Sequence, residues 1–480
     1  MLSLGVLATV AAATIHAVDA RIPIIAAASV AILIVATLSR RPKEVFLAAY
    51  ILALTYNRQF FSFDDIFGPS GYQSFYWILA DPFLILLFAT SALEPATPDA
   101  PQVAAAPKIA SGAGPVLFFL VACCLSAVVA ERPDWAFNEV FRVLKFALLL
   151  AWLHRNLTPR LWLTAVLTFG VAVVLQSSLG IVQAATSGGT NLLSMIGIRR
   201  EALQIAPDID SRARGTLGHA NYLAPYLLML VPAAFGIALF SRRRQTRLGC
   251  ALVVLAGVAG IMASQSRAPI MLLFLTLFAT TVLGIGEAAV SLKAALGGAV
   301  IFFGLAVIMA APFATTIAHR LTNDFVGSID FRTEYDTIAV ELWNDHPLLG
   351  IGLNNTMLSL EHNARLYEKI ALGLEMFRNL PHARPASVHN VYLLILSETG
   401  AVGLAAFLML LAAVLRRAVI ATASSSGAMR GLCLGATIGL VAQYAQQLVD
   451  FSLWGDASWY TFGVLAGLLG FVPTNTPTIK

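Results

Sequence analysis

His389-Asn390-Val391-Tyr392-Leu393 is where this 480-residue chain turns from polar to apolar. A long polar interval, Ile317 to Val388, ends there, and an apolar run begins. Sequence on both sides of that junction is made of apolar stretches close to the ~20 residues that a helix needs to cross a hydrocarbon core. The chain is 58% hydrophobic and only 12% charged, outside the range of soluble domains. These features predict an all-α, polytopic integral membrane protein. Its one large polar excursion closes on a histidine at the mouth of a helix, the natural place to look for chemistry.

Working outward, apolar runs fall at 2–18, 22–39, 44–56, 74–94, 114–131, 136–154, 160–186, 220–240, 248–264, 268–286, 293–315, 389–415, 430–448 and 457–472. They predict about 12–14 transmembrane helices in a single transmembrane domain, 1–480. The run 44–56 is short enough to be re-entrant. Basic clusters at Arg40-Arg41-Pro42-Lys43, Arg155 to Arg160, Arg242-Arg243-Arg244 with Arg247, and Arg416-Arg417 with Arg430 all fall on one side of that arrangement. The positive-inside rule makes that side cytoplasmic, with both termini. The loops 187–219 and 317–388 are then outside, periplasmic in a Gram-negative cell. Six Lys or Arg against nine Asp or Glu in 317–388 agree with an outer location.

The formal charge of +5 sits mostly in these clusters, so it orients the chain in a bilayer and gives no reason to expect nucleic acid. Cys123, Cys124, Cys250 and Cys433 all lie in apolar runs, which excludes a disulfide framework or thiolate metal site. The first run lacks a basic n-region and reads as a retained span. Residues 95–113 are Pro/Ala-rich and aperiodic, a cytoplasmic linker without chemistry. The aromatic segment 57–72 reads as an interfacial belt or an acceptor-docking loop.

Three predicted helix starts share the outer face. They follow Arg214-Gly215-Thr216-Leu217-Gly218-His219-Ala220-Asn221, Ser266-Arg267-Ala268-Pro269 and Ser387-Val388-His389-Asn390. Each presents the positive end of its helix dipole, where a cation is disfavoured unless an anion joins it. Arg214 and Arg267 in such places point to an anionic, phosphate-bearing ligand, with Gly215 allowing close approach to the backbone. Headgroup snorkelling or a pair with a loop carboxylate is the bland alternative. His389 is expected near the second position of its helix, with Ser387 as the cap. The helix end disfavours imidazolium there, so the ring could accept a proton from a hydroxyl; a plain surface histidine is the alternative. The remaining histidines lack metal-ligand spacing, and Asp208-Ile209-Asp210 is too short a pattern to outweigh a pair of solvated loop acids. No metal and no cofactor is expected.

At these residues the sequence resembles the O-antigen ligase and polysaccharide polymerase superfamily of bacterial envelopes. The resemblance rests on four blocks: Arg214-Gly215-Thr216 through Asn221-Tyr222-Leu223-Ala224, Ser266-Arg267, Trp343 through His346-Pro347-Leu348-Leu349-Gly350-Ile351-Gly352, and His389-Asn390 followed after nine residues by Gly400 and then Gly403. They span roughly 205–415, the expected family core.

The resemblance implies a GT-C-like membrane glycosyltransferase with a large, partly helical periplasmic loop. It implies metal-independent, inverting transfer of an undecaprenyl-diphosphate-linked glycan on the periplasmic face of the bacterial inner membrane. The family's essential histidine matches His389, and its two essential arginines match Arg214 and Arg267. Asn221, Asn390 and Arg332 are possible substrate contacts, although Arg332 is equally read as a salt-bridge partner. The rest of 317–388, including Trp343 to Gly352, reads as a lid and acceptor platform.

The acceptor stays open among a glycan chain, lipid A-core and a protein hydroxyl, so polymerase, ligase and protein O-oligosaccharyltransferase all remain. From another class, a lipid-linked-oligosaccharide flippase would need an ionisable path through several spans. Glu139, Arg142 and Lys145 offer one polar helix face, which is also what an internal ion-pair seam would look like.

Overall fold

A computed structural model describes residues 21–39, 41–56, 59–60, 76–93, 110–185, 212–286, 293, 304, 325–356, 358–359 and 388–471. The expected spans 2–18 and 293–315, most of the linker, Asp208 to Asp210 and Ser387 lie outside these residues, single positions aside.

The described elements, in chain order, are α1 (Arg21–Leu38), α2 (Pro42–Leu54), β1 (Gln59–Phe60), β2 (Trp77–Ile78), α3 (Asp81–Leu93), α4 (Ala110–Val129), α5 (Pro133–Asn156), α6 (Pro159–Ala185), α7 (Ala220–Phe240), α8 (Arg244–Ser264), α9 (Arg267–Gly286), α10 (Phe325–Asp345), α11 (Val391–Ser424), α12 (Gly427–Gln446), a 3-10 turn (Ser452–Trp454) and α13 (Asp456–Gly470). Five of them, α6, α7, α8, α9 and α11, are long and apolar enough to cross a membrane. The exteriors of α6, α8, α9 and α11 carry exposed Leu167, Leu252, Met271, Phe278 and Met409, while their opposite faces are buried, and α7 is the most enclosed of the five. Large apolar side chains turned outward along otherwise buried helices have a stable partner only in lipid. The chain is a multi-pass membrane protein.

The described residues are mostly helical, as expected, with one small addition: Gln59 pairs with Ile78 and Phe60 with Trp77 in a short antiparallel ribbon. The run 74–94 is therefore not one helix. Its first residues are extended, and α3 begins only at Asp81, whose Oδ2 accepts from Ile78 N at 2.9 Å. Hydropathy cannot see this boundary, because Tyr76, Trp77 and Ile78 are as apolar in a strand as in a helix.

α7 and α12 pack antiparallel at backbone distance. Gly431, Gly435 and Gly439 recur every fourth residue on α12, and a Cβ on Gly439 would already stand 3.0 Å from the Met229 carbonyl oxygen. In a bilayer, where burial of apolar surface gives no net drive, such small-residue faces let dispersion and close approach hold helices together.

The second organising contact is a break inside α11. Gly400 takes φ +65°, and the hydrogen-bond ladder opens around it. The segment 347–352 fills the break. Ile351 N donates to Ser397 O at 3.0 Å, Gly352 N to Glu398 O at 2.9 Å, Ala401 N to Pro347 O at 2.9 Å and Val402 N to Leu348 O at 3.3 Å. Ser126 Oγ from α4 also donates to Glu398 O, at 2.6 Å, and Thr356 Oγ1 donates to the Glu398 carboxylate at 2.8 Å. A helix interrupted within a membrane is stable only when protein supplies partners for the freed groups, and this segment does so. The block 347–352 is therefore an anchor wedged into α11 and not the lid expected from its place in a polar loop.

Candidate functional site

The site lies at the end of the bundle where α7, α9, α11 and α13 begin and α6, α8 and α12 finish. The turn before α7 is clamped from two sides. Gln183 on α6 accepts from Arg214 N at 3.1 Å and from Gly215 N at 2.8 Å, and its amide donates to Gly215 O at 2.9 Å. Gln176 accepts from Thr216 N at 2.8 Å, while Ala213 N donates to Ala263 O on α8 at 3.0 Å. Gly215, at φ +58°, has its Cβ position filled by the Gln176 amide. Its backbone is thus taken up by α6, contrary to the expectation that it stands open for a ligand.

Arg212 is the residue this turn aims inward, and sequence reading passed it over. It is buried, with Nε donating to Ser264 O at 2.8 Å and Nη2 to Asn221 Oδ1 at 2.9 Å. Asn221 Oδ1 also accepts from Ser266 Oγ at 3.2 Å, next to Arg267, the first residue of α9. Asn221, expected as a substrate contact, is the knot that ties α7, α9 and Arg212 together. Arg214 and Arg267 are both half-buried at this end, each one or two residues from that knot.

His389 stands three positions earlier, relative to its helix, than expected. Asn390 caps α11, its Oδ1 accepting from Tyr392 N at 3.0 Å and Leu393 N at 3.3 Å. An Asn side chain satisfies the orphan amides of a first turn well, and here it outcompetes the histidine for helical status. His389 therefore precedes the helix, where the dipole that was expected to keep the ring neutral is weaker. Its imidazole packs edge-on against Phe451, centroids 5.4 Å apart. Phe451 in turn meets Tyr222 at 6.4 Å, and Tyr222 meets His219 at 6.0 Å, so an aromatic chain joins the start of α11 to the start of α7.

Phe451 belongs to the turn after α12, which brings in the second residue that sequence reading missed. Asp450 is buried; its Oδ1 accepts from Phe451 N at 2.7 Å, and its carbonyl oxygen accepts from Val391 N at 3.3 Å. Burial pushes its carboxyl up to about 6, against the pull of that backbone bond and of the Arg332 and Arg212 guanidinium charges. Arg332, on α10, thus acts on the same carboxyl as Arg212, 120 residues earlier in the chain. The only hint of this in sequence was an Asp in an otherwise apolar run, Gln447-Leu448-Val449-Asp450-Phe451.

The end of the bundle thus gathers a histidine outside a helix cap, several guanidinium groups and one buried carboxyl. That set suits a proton acceptor beside an anion-binding surface. A family model described as O-antigen ligase matches residues 250–408.

Residues 250–408 are thus similar to an O-antigen ligase domain, which supports the resemblance to the O-antigen ligase and polysaccharide polymerase superfamily carried by the four sequence blocks. The match takes in Arg267, the wedge at 347–352, His389 and the break at Gly400. Arg212, Arg214, Asn221 and Asp450 lie outside it in sequence, yet Arg212, Asn221 and Asp450 bond to residues inside it. No curated protein matches the chain. The match supports glycan transfer of the ligase and polymerase type, with glycan substrates in a membrane setting.

Proposed function

We propose that this protein is an inverting, GT-C-like membrane glycosyltransferase that moves an undecaprenyl-diphosphate-linked glycan onto an acceptor hydroxyl without a metal. His389 takes the proton of the acceptor hydroxyl. The freed oxygen forms a bond to the anomeric carbon of the donor as the bond from that carbon to the diphosphate oxygen breaks. Undecaprenyl diphosphate leaves with the electron pair, and a single displacement inverts the anomeric centre. Arg214 and Arg267 hold the departing diphosphate, supplying positive charge where other transferases use a divalent ion. Arg212 and Arg332 flank them, and both guanidinium charges act on the Asp450 carboxyl.

The observation that carries this reading is the convergence of His389, Arg212, Arg332 and Asp450 at one end of the bundle, from four separate parts of the chain. A flippase path finds less support. Arg142 pairs with Glu139 and with Asp456, and Lys145 pairs with Asp81 at 2.9 Å, so this helix face is an internal ion-pair seam. In the proposed orientation the basic loops face the cytoplasm of a bacterial inner membrane and His389 faces the periplasm.

His389→Ala, expressed in cells lacking the native protein, tests the assignment through glycan chain length and attachment to lipid A-core. Single repeat units that stay attached while long chains vanish indicate a polymerase. Full-length chains stranded on the lipid carrier indicate a ligase, and loss of glycan from secreted protein indicates a protein O-oligosaccharyltransferase. Unchanged glycans in all three respects reject His389 as the catalytic residue.

A further inference from the structure

Arg142, buried on α5, takes no part in the transfer chemistry, yet all of its polar atoms are engaged. Nη1 donates to the Glu139 carboxylate, Nε to Asp456 Oδ1 at 2.8 Å, and Nη2 to the Trp454 carbonyl oxygen. The Trp454 ring lies 5.5 Å from its Cζ. Asp456 Oδ2 accepts in addition from the Tyr76 hydroxyl at 3.0 Å, and the Tyr460 hydroxyl donates to the carbonyl of Arg142 itself at 3.3 Å. Buried ion pairs often stabilise a fold no better than apolar residues of the same size, so stability alone does not explain a guanidinium here. A planar fork reaching several partners at once is suited to fixing geometry.

Two of those partners, Trp454 and Asp456, lie three and five residues after Phe451 in the same segment. The other end of that segment is held as firmly. Gln447 Oε1 accepts from Leu453 N at 2.9 Å, its Nε2 donates to Ser452 Oγ at 3.3 Å, and Val391 N donates to Gln447 O at 3.1 Å. Asp450 and Phe451 are thereby suspended between two clamps, one on α12 and one on α5. We infer that Arg142 is a positioning residue, which holds the 450–456 segment so that Phe451 and Asp450 keep the His389 ring in register with the surrounding arginines. The inference rests on the proposed role of His389. It gives the ion-pair seam a purpose that neither a transport path nor plain stability supplies.

Arg142→Lys keeps the charge but cannot reach Glu139, Asp456 and Trp454 together. The test uses purified full-length protein in nanodiscs and measures undecaprenyl diphosphate released from lipid-linked glycan extracted from the native host. The folded fraction is taken from thermal melts. The expected result for Arg142→Lys is a kcat per folded molecule lower by roughly tenfold to a hundredfold, with donor KM changed less than about twofold. A purely structural residue would change the folded fraction and leave kcat per folded molecule intact, and that result overturns the inference. If Arg142→Lys does not fold, Asp456→Asn, isosteric and missing one anchor, is read the same way, with the same two outcomes. His389→Ala run in parallel separates the two failures. If His389→Ala is inactive while the seam variants keep full kcat, only the positioning role falls; if His389→Ala is active, the reading beneath it falls.

Discussion

Gly400 lies against the carbonyl group of Leu348 with no room for a methyl between them, and Val402 N, two residues on, donates to that same carbonyl oxygen at 3.3 Å. Gly350 mirrors the relation from the other side, against the backbone of Glu398 and Thr399. The spacing from His389 to Gly400 is therefore the length of helix between the candidate base and the point where the wedge enters. Gly400→Ala places a Cβ on a residue at φ +65° and into that carbonyl. It is expected to destabilise the protein by at least about 2 kcal/mol. Gly249→Ala on α8, with nothing within 4 Å of the new Cβ, is the matched control, expected to be neutral or to stabilise by about 0.5–1 kcal/mol. Melting temperatures of the two variants in detergent check the contrast.

Asn390 is a cap before it is anything else. Asn390→Ala leaves the Tyr392 and Leu393 amides without their acceptor and should cost about 1 kcal/mol, with turnover falling because His389 is the next residue back. Asn390→Ser should restore most of both. If the alanine variant melts and turns over like the parent, capping does not set the position of His389.

Arg212 and Arg214 are two residues apart and differ in what holds them. Arg212→Lys gives up the forked contact to Ser264 O and Asn221 Oδ1 and is expected to lose about 1.5–3 kcal/mol, because a buried charged hydrogen bond goes unmade. Arg214→Lys, half-buried, should perturb folding less and report on the diphosphate instead. Comparison of melting temperature with donor KM for the two variants tests the division of labour, and a larger melting shift for Arg214→Lys would reverse it.

Asp450 gives the site a pH dependence whose sign can be worked out. Its folded-state carboxyl lies at about 6, above an unfolded value of about 3.9. Its contribution to stability is complete below pH ~4 and is lost as pH rises through about 6, because only the native state still holds the proton in that window. The loss is on the order of 2–3 kcal/mol. Asp450→Asn should flatten that slope in melts recorded from pH 4 to 7. Turnover should run the opposite way in the parent, falling as pH drops below about 6, since the protonated carboxyl no longer balances the Arg212 and Arg332 charges beside His389. A stability slope unchanged in Asp450→Asn would assign the dependence to another group.

Composition and hydropathy were enough to make this a multi-pass helical membrane protein, because lipid forces every spanning backbone to satisfy itself and leaves a long apolar run as the trace. The same logic located α6 to α9 within a few residues and found the start of α11, which runs to Ser424, beyond the expected end at 415, and the motif residues Arg267, His389 and Gly400 were legible one by one. The β-ribbon was hidden because its residues are apolar in either conformation. The cap was misplaced because Ser387 and Asn390 are both good cap residues, and only the backbone decides between them.

Tertiary structure alone decided which residues meet. Arg212, Arg332, His389 and Asp450 are brought together by antiparallel helices that begin and end at the same level, and no local pattern encodes that. It also turned the expected lid at 347–352 into a wedge, since the chain must supply partners for the amides and carbonyls that a break at Gly400 sets free. Sequence named His389 and Arg332 as groups capable of chemistry; packing brought Arg212 and Asp450 to join them.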